Sequence, residues 1–243
     1  MKASRPAPRI TRAMVLAAGL GTRLRPLTGD RPKALVALAG RPLIDRTLDR
    51  LVAAGIESVV VNLHYKANAL RDHLGGRSVP AISFSEETTN LLDTGGGVAQ
   101  ALGHFDDEPF LIVNCDVLWL DGVCETLSYL AAAWDGTRSD ALLLLQPTVE
   151  AIGYHGLGDF FLSAEGGVRR RHEGEVAPFV FTGIQILHPR LFSAGDPGAF
   201  SLNRLYDRAE KSGRLHGLRH EGVWLHIGRP DDLRLAEAAL RDL

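Results

Sequence analysis

Cysteine is nearly absent from this 243-residue chain. Cys115 and Cys124 are too few for a disulfide framework or a structural zinc site, and reduced thiols in a cytoplasmic protein are the simplest expectation. Long apolar runs are missing as well. Those present, such as residues 141–145, fall far short of the roughly 20 residues that span a bilayer, so neither a transmembrane helix nor a membrane partner is expected. Charge of one sign is also lacking: 27 Lys and Arg against 29 Asp and Glu leave −2. That balance argues against coating a nucleic acid, because a phosphate backbone demands a cationic face. Lysine itself is scarce. Lys2, Lys33, Lys66 and Lys211 stand against 23 arginines, which draws attention to any lysine inside a candidate loop. With 45% apolar and 23% charged residues, wholesale disorder and fibrous classes are excluded, and the length suits one elaborated domain. Residues 1–12 are basic, contain proline and carry no acid. They read as a disordered tail, because the apolar stretch 14–18 runs straight into Gly-Leu-Gly instead of forming the core of a signal peptide. That leaves 13–243 as a single domain.

Apolar strands alternate with amphipathic helices over the first 145 residues. Strands are expected at 13–18, 58–62, 81–85, 110–114 and 141–145, and helices at 42–54, 67–74, 96–102 and 121–134. Strands without polar alternation, separated by such helices, predict a mostly parallel sheet covered on both faces. After about residue 150, strands at 160–162, 168–171 and 179–187 are shorter and polar-flanked, which predicts a small antiparallel extension or lid. Helices at 202–211 and 231–243 flank strands at 215–219 and 223–227.

The densest chemical signal follows the first strand, in Leu16-Ala-Ala-Gly-Leu-Gly-Thr-Arg-Leu-Arg-Pro-Leu-Thr-Gly-Asp-Arg-Pro-Lys33. Gly19 and Gly21 allow backbone N–H groups to approach an anion, and a loop leaving a parallel strand at its carboxyl end lies where ligands bind. A dinucleotide fingerprint needs a third glycine at position 24, which is Leu. A P-loop needs Gly-Lys-Ser/Thr, which does not follow. What remains is Arg23, Arg25, Arg31 and Lys33 against Asp30 alone, a charge density suited to a triphosphate.

This loop resembles the signature of the sugar-1-phosphate nucleotidyltransferases. The resemblance continues through Gly40-Arg-Pro-Leu-Ile44, Asp93-Thr-Gly-Gly-Gly97, Val113-Asn-Cys-Asp116, Phe181-Thr-Gly-Ile184 and Trp224-Leu-His-Ile-Gly228, so it covers roughly residues 13–235. It implies a Rossmann-like three-layer α/β fold with a mostly parallel central sheet and a small antiparallel extension. Within it, the nucleotide-binding part would be about 13–145 and the sugar-binding part about 146–243. The compact length, the triple glycine and Gly158-Asp-Phe160 are most similar to the short members, which include uridylyltransferases for N-acetylmuramic acid 1-phosphate in cell-wall recycling. The implied substrates are therefore an NTP, UTP first, and a sugar 1-phosphate. Guanylyl transfer to mannose or heptose 1-phosphate is the alternative, and a non-catalytic nucleotide-sugar-binding subunit is a third reading. No protein partner is indicated.

By the same resemblance, Ala18, Gly19, Gly21, Thr22 and Arg23 would hold the triphosphate, with Arg23 on the departing pyrophosphate and Lys33 at the reaction centre. The nucleophile is a phosphate monoester with a second pKa near ~6, already ionised at neutral pH, so no general base is needed. Asp116, placed after the apolar strand 110–114, would hold Mg2+, which binds through one or two carboxylates plus substrate phosphates. Asn114 and, further on, Asp159 and Thr182 are the expected sugar contacts. For the base, Gly96 would let a flat ring approach the backbone, and Glu87 would accept the N3–H of uracil or the N1–H of guanine, with Glu86 a competitor.

One departure stands out. The family commonly has W-[LIV]-D-x-G-T near its end, whose Asp is a second metal ligand; here those positions are His226 and Arg229. Imidazole is a poorer magnesium ligand than carboxylate. His226 near the metal is the expectation, and Asp231 and Asp232 read as acids in a helix first turn. Arg169-Arg-Arg-His172 reads as a solvated strand end, with contact to the lactyl carboxylate of an acidic sugar as the alternative.

Overall fold

Residues 12–16, Arg-Ala-Met-Val-Leu, bury their three central side chains completely and so must lie inside a sheet covered on both faces. The computed structural model describes residues 9–88, 90–192, 196 and 198–241. Most of the expected tail, residues 1–8, lies outside the described residues. Residues of the expected tail that are described belong to the fold: Ile10 is only 6% exposed, and Arg12 already pairs with Ser58.

In chain order the elements are β1 (Arg12–Leu16), β2 (Ala37–Leu38), β3 (Arg41–Pro42), α1 (Leu43–Ala53), β4 (Ser58–Leu63), α2 (Ala67–Leu74), β5 (Ala81–Glu86), α3 (Asp93–Ala101), β6 (Phe110–Asn114), β7 (Val117–Leu120), α4 (Thr126–Ala132), β8 (Ala141–Pro147), β9 (Phe160–Leu162), β10 (Val168–Arg170), β11 (Phe179–Leu187), α5 (Asn203–Lys211), β12 (Leu215–Arg219), β13 (Val223–His226) and α6 (Pro230–Arg241). The main sheet runs β12-β8-β11-β6-β1-β4-β5, and the β9–β10 hairpin joins it through Phe160 opposite Phe179. β1, β4, β5 and β6 are parallel, as are β8 and β12, while β11 runs antiparallel to β6, β8 and β9.

Helix patterning explains the two layers around this sheet. In α1, Leu43, Ile44, Thr47, Leu48 and Leu51 fall on one buried face, Asp45 lies in the first turn and Arg50 in the last. Leu48, Leu70 of α2 and Leu130 of α4 belong to the core on one side of the sheet; Val98 of α3 and Leu205 and Tyr206 of α5 belong to the other. A third apolar cluster, containing Leu24, Leu38, Leu118, Leu225 and Ala236, seats the loop after β1 on β7, β13 and α6.

Two expectations are corrected. The helix predicted over 121–134 is confined to Thr126–Ala132; residues 121–125 form the connection to it from β7, which is antiparallel to β13 with Trp119 opposite Trp224. Glu125 sets the start of α4 by accepting hydrogen bonds from the N–H groups of Leu127 and Ser128. Residues 179–187 are no lid either: β11 is a nine-residue strand in the sheet interior. Its Ile184 and Ile186, with the neighbouring Leu143 and Leu144, are fully buried, which only an interior strand allows.

The chain leaves β1 to build β4 and β5 on one side, then returns to place β6 on the other. That reversal opens a crevice at the carboxyl ends of β1 and β6, the general ligand position in such sheets.

Candidate active site

A cavity of about 210 Å³ fills this crevice. Ala18, Gly19, Lys33, Glu87, Asn114 and Asp116, all singled out from the sequence, line it, together with Asn62, Leu91, Asp93 and Thr94. The loop after β1 forms one wall. Gly21 takes φ +63°, and a Cβ there would stand 3.0 Å from Thr28 Cγ2 and 3.3 Å from Lys33 Cβ. Glycine at this point therefore lets the loop close on itself, and Thr28 locks the closure by donating its hydroxyl to the Gly21 carbonyl at 2.8 Å. The fold directs Lys33 inward, leaving it 9% exposed, while Arg31 pairs with Asp30 in solvent. Thr22 and Arg23, on the short helical turn that follows Gly21, are exposed. Arg23 lines a neighbouring cavity with His226 and Arg229.

Lys33 Nζ donates to Asp116 Oδ2 at 2.7 Å, and His226 Nε2 lies 3.6 Å from the same oxygen. His226 stacks on Trp224 with ring planes 7° apart, which fixes where its imidazole faces. Burial alone would raise the Asp116 pKa; the Lys33 ammonium and then His226 outweigh it and hold the carboxyl well below the usual range. The neighbouring Cys115 behaves in the opposite way. Burial, then the Asp116 charge, pushes its thiol up to about 12, so it is no nucleophile.

Among the described residues no group of three or more His, Cys, Asp or Glu side chains could hold a metal ion. The donor chemistry still fits a cation bound largely by substrate. Asp116 is ionised, no protein hydrogen bond among the described residues reaches its Oδ1, and one carboxylate with phosphate oxygens is an ordinary magnesium complement. Asp231 and Asp232 do not join it. Asp231 pairs with Arg234, and Asp232 Oδ2 accepts from the N–H groups of Gly228 and Arg229 at 3.0 and 2.8 Å, as acids at a helix start do.

At the other end of the cleft, Glu87 is 3% exposed with both oxygens engaged. Oε1 accepts from Asn62 Nδ2 at 2.7 Å and Oε2 from the Leu92 N–H at 2.8 Å. Asn62 Oδ1 in turn accepts from the Ala17 N–H at 2.6 Å. One chain of hydrogen bonds thus ties the end of β1, the end of β4 and the approach to α3. Asn62 is the residue that sequence reasoning missed; its signal was a lone polar side chain within a buried apolar strand. Glu86 points elsewhere, to Arg71.

Three sequence-derived contacts differ from expectation. Gly96 does not face the cleft: its N–H donates to the Phe200 carbonyl, and a Cβ there would meet the Gly198 carbonyl oxygen at 2.3 Å. Gly97 is the glycine beside Glu87. Thr182 is fully buried and donates to the Leu144 carbonyl at 2.8 Å, because the register of β11 shifts between Phe181 and Gln185. Asp159 accepts from the Phe181 N–H at 2.9 Å and lines a separate cavity with Arg171; burial raises its pKa. Asn114 keeps its place at the cleft, where Gly183, at φ +81°, lets its amide lie against the β11 backbone. In the basic cluster, Arg169 pairs with Glu175 and Arg170 with Asp207, while Arg171 donates to the Gly158 and Glu175 carbonyls.

Comparisons with known proteins agree with this geometry. A MobA-like NTP transferase domain model matches residues 13–195. The chain is 47% identical over 240 residues to the N-acetylmuramate alpha-1-phosphate uridylyltransferase of Caulobacter vibrioides, covering 97% of this chain and 98% of that protein. It is 36% identical to the protein of the same name from Neisseria meningitidis serogroup B, over 93% and 97% of the two chains. In fold it is similar to a UDP-glucose pyrophosphorylase complexed with UDP-glucose, with TM-score 0.78 at 16% identity over 96% of this chain and 99% of that one. HddC from Yersinia pseudotuberculosis complexed with GMP-PN gives TM-score 0.75 at 22% identity over 95% and 100%. The chain belongs to the NTP transferase family, as a sugar-1-phosphate nucleotidyltransferase.

Proposed function

We propose that this protein transfers the uridylyl group of UTP to N-acetylmuramic acid α-1-phosphate, giving the UDP-sugar and pyrophosphate. The observation that carries the reading is the Lys33–Asp116 pair, 2.7 Å apart at the carboxyl end of the β1–β6 crevice, in a chain 47% identical to such a uridylyltransferase. A nonbridging oxygen of the sugar phosphate attacks the α-phosphorus, the bond to the bridging oxygen of the β-phosphate breaks, and pyrophosphate leaves. The nucleophile is already ionised, so the protein need only align the reactants and neutralise charge.

Lys33 faces the α-phosphate, where negative charge grows. Asp116 holds the Lys33 ammonium in place and stays ionised. It would also hold a divalent cation, magnesium in this reading, which when bound neutralises phosphate oxygens. Ala18, Gly19 and Gly21 shape the phosphate loop. The Glu87–Asn62 pair acts on the base indirectly, by setting the spacing between that loop and residues 91–94. Asn114 faces the sugar, and Asp159, on the β9–β11 side, is the remaining sugar-side candidate. Residues of about 13–145 serve the nucleotide and 146–243 the sugar. No helix among the described residues is long and apolar enough to cross a membrane, and the free thiols suit a cytoplasmic setting.

The test is pyrophosphate release over a grid of four NTPs and several sugar 1-phosphates with magnesium. UTP with N-acetylmuramic acid 1-phosphate should give the highest kcat/KM. A maximum with GTP and mannose or heptose 1-phosphate would replace the substrates but keep the reaction. No release with any pair would leave a binding protein.

A further inference from the structure

Two polar contacts from the carboxyl end of β4 hold the loop between β1 and Lys33. Asn62, in the strand, accepts from the Ala17 N–H at 2.6 Å, at the start of the loop. Tyr65, two residues past the strand, reaches its far side. The Tyr65 hydroxyl donates to the Thr28 carbonyl at 3.1 Å and to the Gly29 carbonyl at 3.3 Å, one proton shared between two acceptors.

The far side of the loop has little else to fix it. Of residues 25–31, Thr28 alone is buried, and among the described residues none of the seven belongs to an apolar core cluster. Thr28 is also the residue that closes the loop. Its Oγ1 donates to the Gly21 carbonyl at 2.8 Å, and Gly21 lies so near Lys33 that a Cβ on the glycine would stand 3.3 Å from Lys33 Cβ. A line of contacts therefore runs from Tyr65 through Thr28 to Gly21 and Lys33, the backbone and the cation assigned above to the nucleotide phosphates. Tyr65 itself is not among the described residues lining the cleft.

We propose that Tyr65 is a positioning residue for the nucleoside triphosphate, holding the phosphate loop closed before the nucleotide arrives. Ordering a loop at the moment of binding weakens affinity, and a loop ordered in advance avoids that loss. Once the triphosphate is bound, its own contacts keep Gly21 and Lys33 in place, so the Tyr65 hydroxyl acts on nucleotide affinity and hardly on turnover. The identity of the ligand rests on the nucleotidyl-transfer reading; the line of contacts does not.

Calorimetric titration with UTP and magnesium, without sugar phosphate, tests this on wild type, Tyr65→Phe, Thr28→Val and the double variant. Tyr65→Phe keeps the ring and removes only the hydroxyl. It should bind UTP about fivefold more weakly, the scale of one hydrogen bond, and KM for UTP should rise in proportion. Both kcat and the KM for the sugar 1-phosphate should stay within twofold of wild type. Because both hydroxyls act through one closure, the loss in the double variant should fall short of the product of the single losses. UTP affinity within twofold of wild type in Tyr65→Phe overturns the inference whatever the thermal midpoint does, since a hydroxyl that only stabilised the fold would leave the affinity of the folded protein alone. A KM for the sugar 1-phosphate that rises as far as that for UTP overturns it too, as does a double variant showing the full product. Failure of wild type to bind any of the four NTPs overturns the nucleotidyl-transfer reading, and this inference with it.

Discussion

Two carboxylates sit at the two ends of one cleft and are held in opposite ways. Glu87 is buried against neutral donors, one N–H for each oxygen, and makes no ion pair among the described residues. Asp116 faces a lysine at 2.7 Å and an imidazole at 3.6 Å, with one oxygen left over. The first arrangement fixes backbone: it leaves the acid little capacity for a ligand and makes it a brace between the β4 end and residue 92. The second holds charge in place without consuming it. Carboxylates in a cleft are therefore distinguished by what already occupies their lone pairs, more than by how deeply they lie.

The sharpest way to break the comparison is at the charged end. Lys33→Ala should lower kcat by at least ~100-fold, the scale of losing one preorganised donor where charge develops. The thermal midpoint should fall as well, because Asp116 loses the ammonium that holds its carboxyl ionised, but Lys33 anchors no apolar core and this loss should be small beside the loss of turnover. Stopped-flow or steady-state pyrophosphate release checks it, and near-normal turnover would remove Lys33 from the reaction.

At the neutral end the expected loss is of stability and nucleotide affinity. Glu87→Gln keeps the shape but has one acceptor oxygen for two buried donors, Asn62 Nδ2 and the Leu92 N–H. One donor must then face an amide NH2, which costs about 1–3 kcal/mol. Urea denaturation should show that loss, with KM for the NTP rising more than kcat falls. An unchanged midpoint would mean that Glu87 braces nothing and is available to the base after all.

The two ends also differed in how far they could be read in advance. Lys33 and Asp116 were legible because each is marked locally: one by charge density in a glycine-bearing loop, the other by position just past an apolar strand. The Asn62 link was not, because its partners are Ala17 and Glu87, 45 and 25 residues away, and no local pattern announces a bond across three strands. Gly95, Gly96 and Gly97 were legible as a cluster but not one by one. What each of them packs against depends on helical phase and on residues 198–200, more than a hundred positions later. The same holds for the sheet. Its parallel half follows from apolar strands and helices in alternation, whereas β11 as an interior antiparallel strand rests on pairings with β6 and β8 that only the whole topology sets.

A smaller effect separates the two carboxylates by pH. The folded-state pKa of Asp116 is depressed, so its contribution to stability is fully present above its unfolded value, ~3.9, and is lost only as pH falls through the folded value. The stability difference between wild type and Asp116→Asn should therefore persist down to pH 5 and collapse only below about 4. Chemical denaturation at a series of pH values tests this. A difference already lost at pH 5 would mean that Lys33 and His226 do not hold the carboxyl down.

The smallest expected effect falls on β11, where a threonine that reads as a sugar contact turns out to face the sheet. Thr182 Oγ1 donates to the Leu144 carbonyl at 2.8 Å and accepts from the Ile184 N–H at 3.3 Å, so it bridges the register shift between β11 and β8. The Thr182 carbonyl also accepts from Trp224 Nε1 at 2.9 Å, a bond that no side-chain change removes. Thr182→Val preserves the shape and loses only the hydroxyl, at about 1 kcal/mol. KM for the sugar 1-phosphate should be the same in both proteins, because the hydroxyl never reaches the cleft. If instead that KM rose severalfold with stability unchanged, the β11 register would have to differ when the sugar is bound, and Thr182 would return to the binding surface.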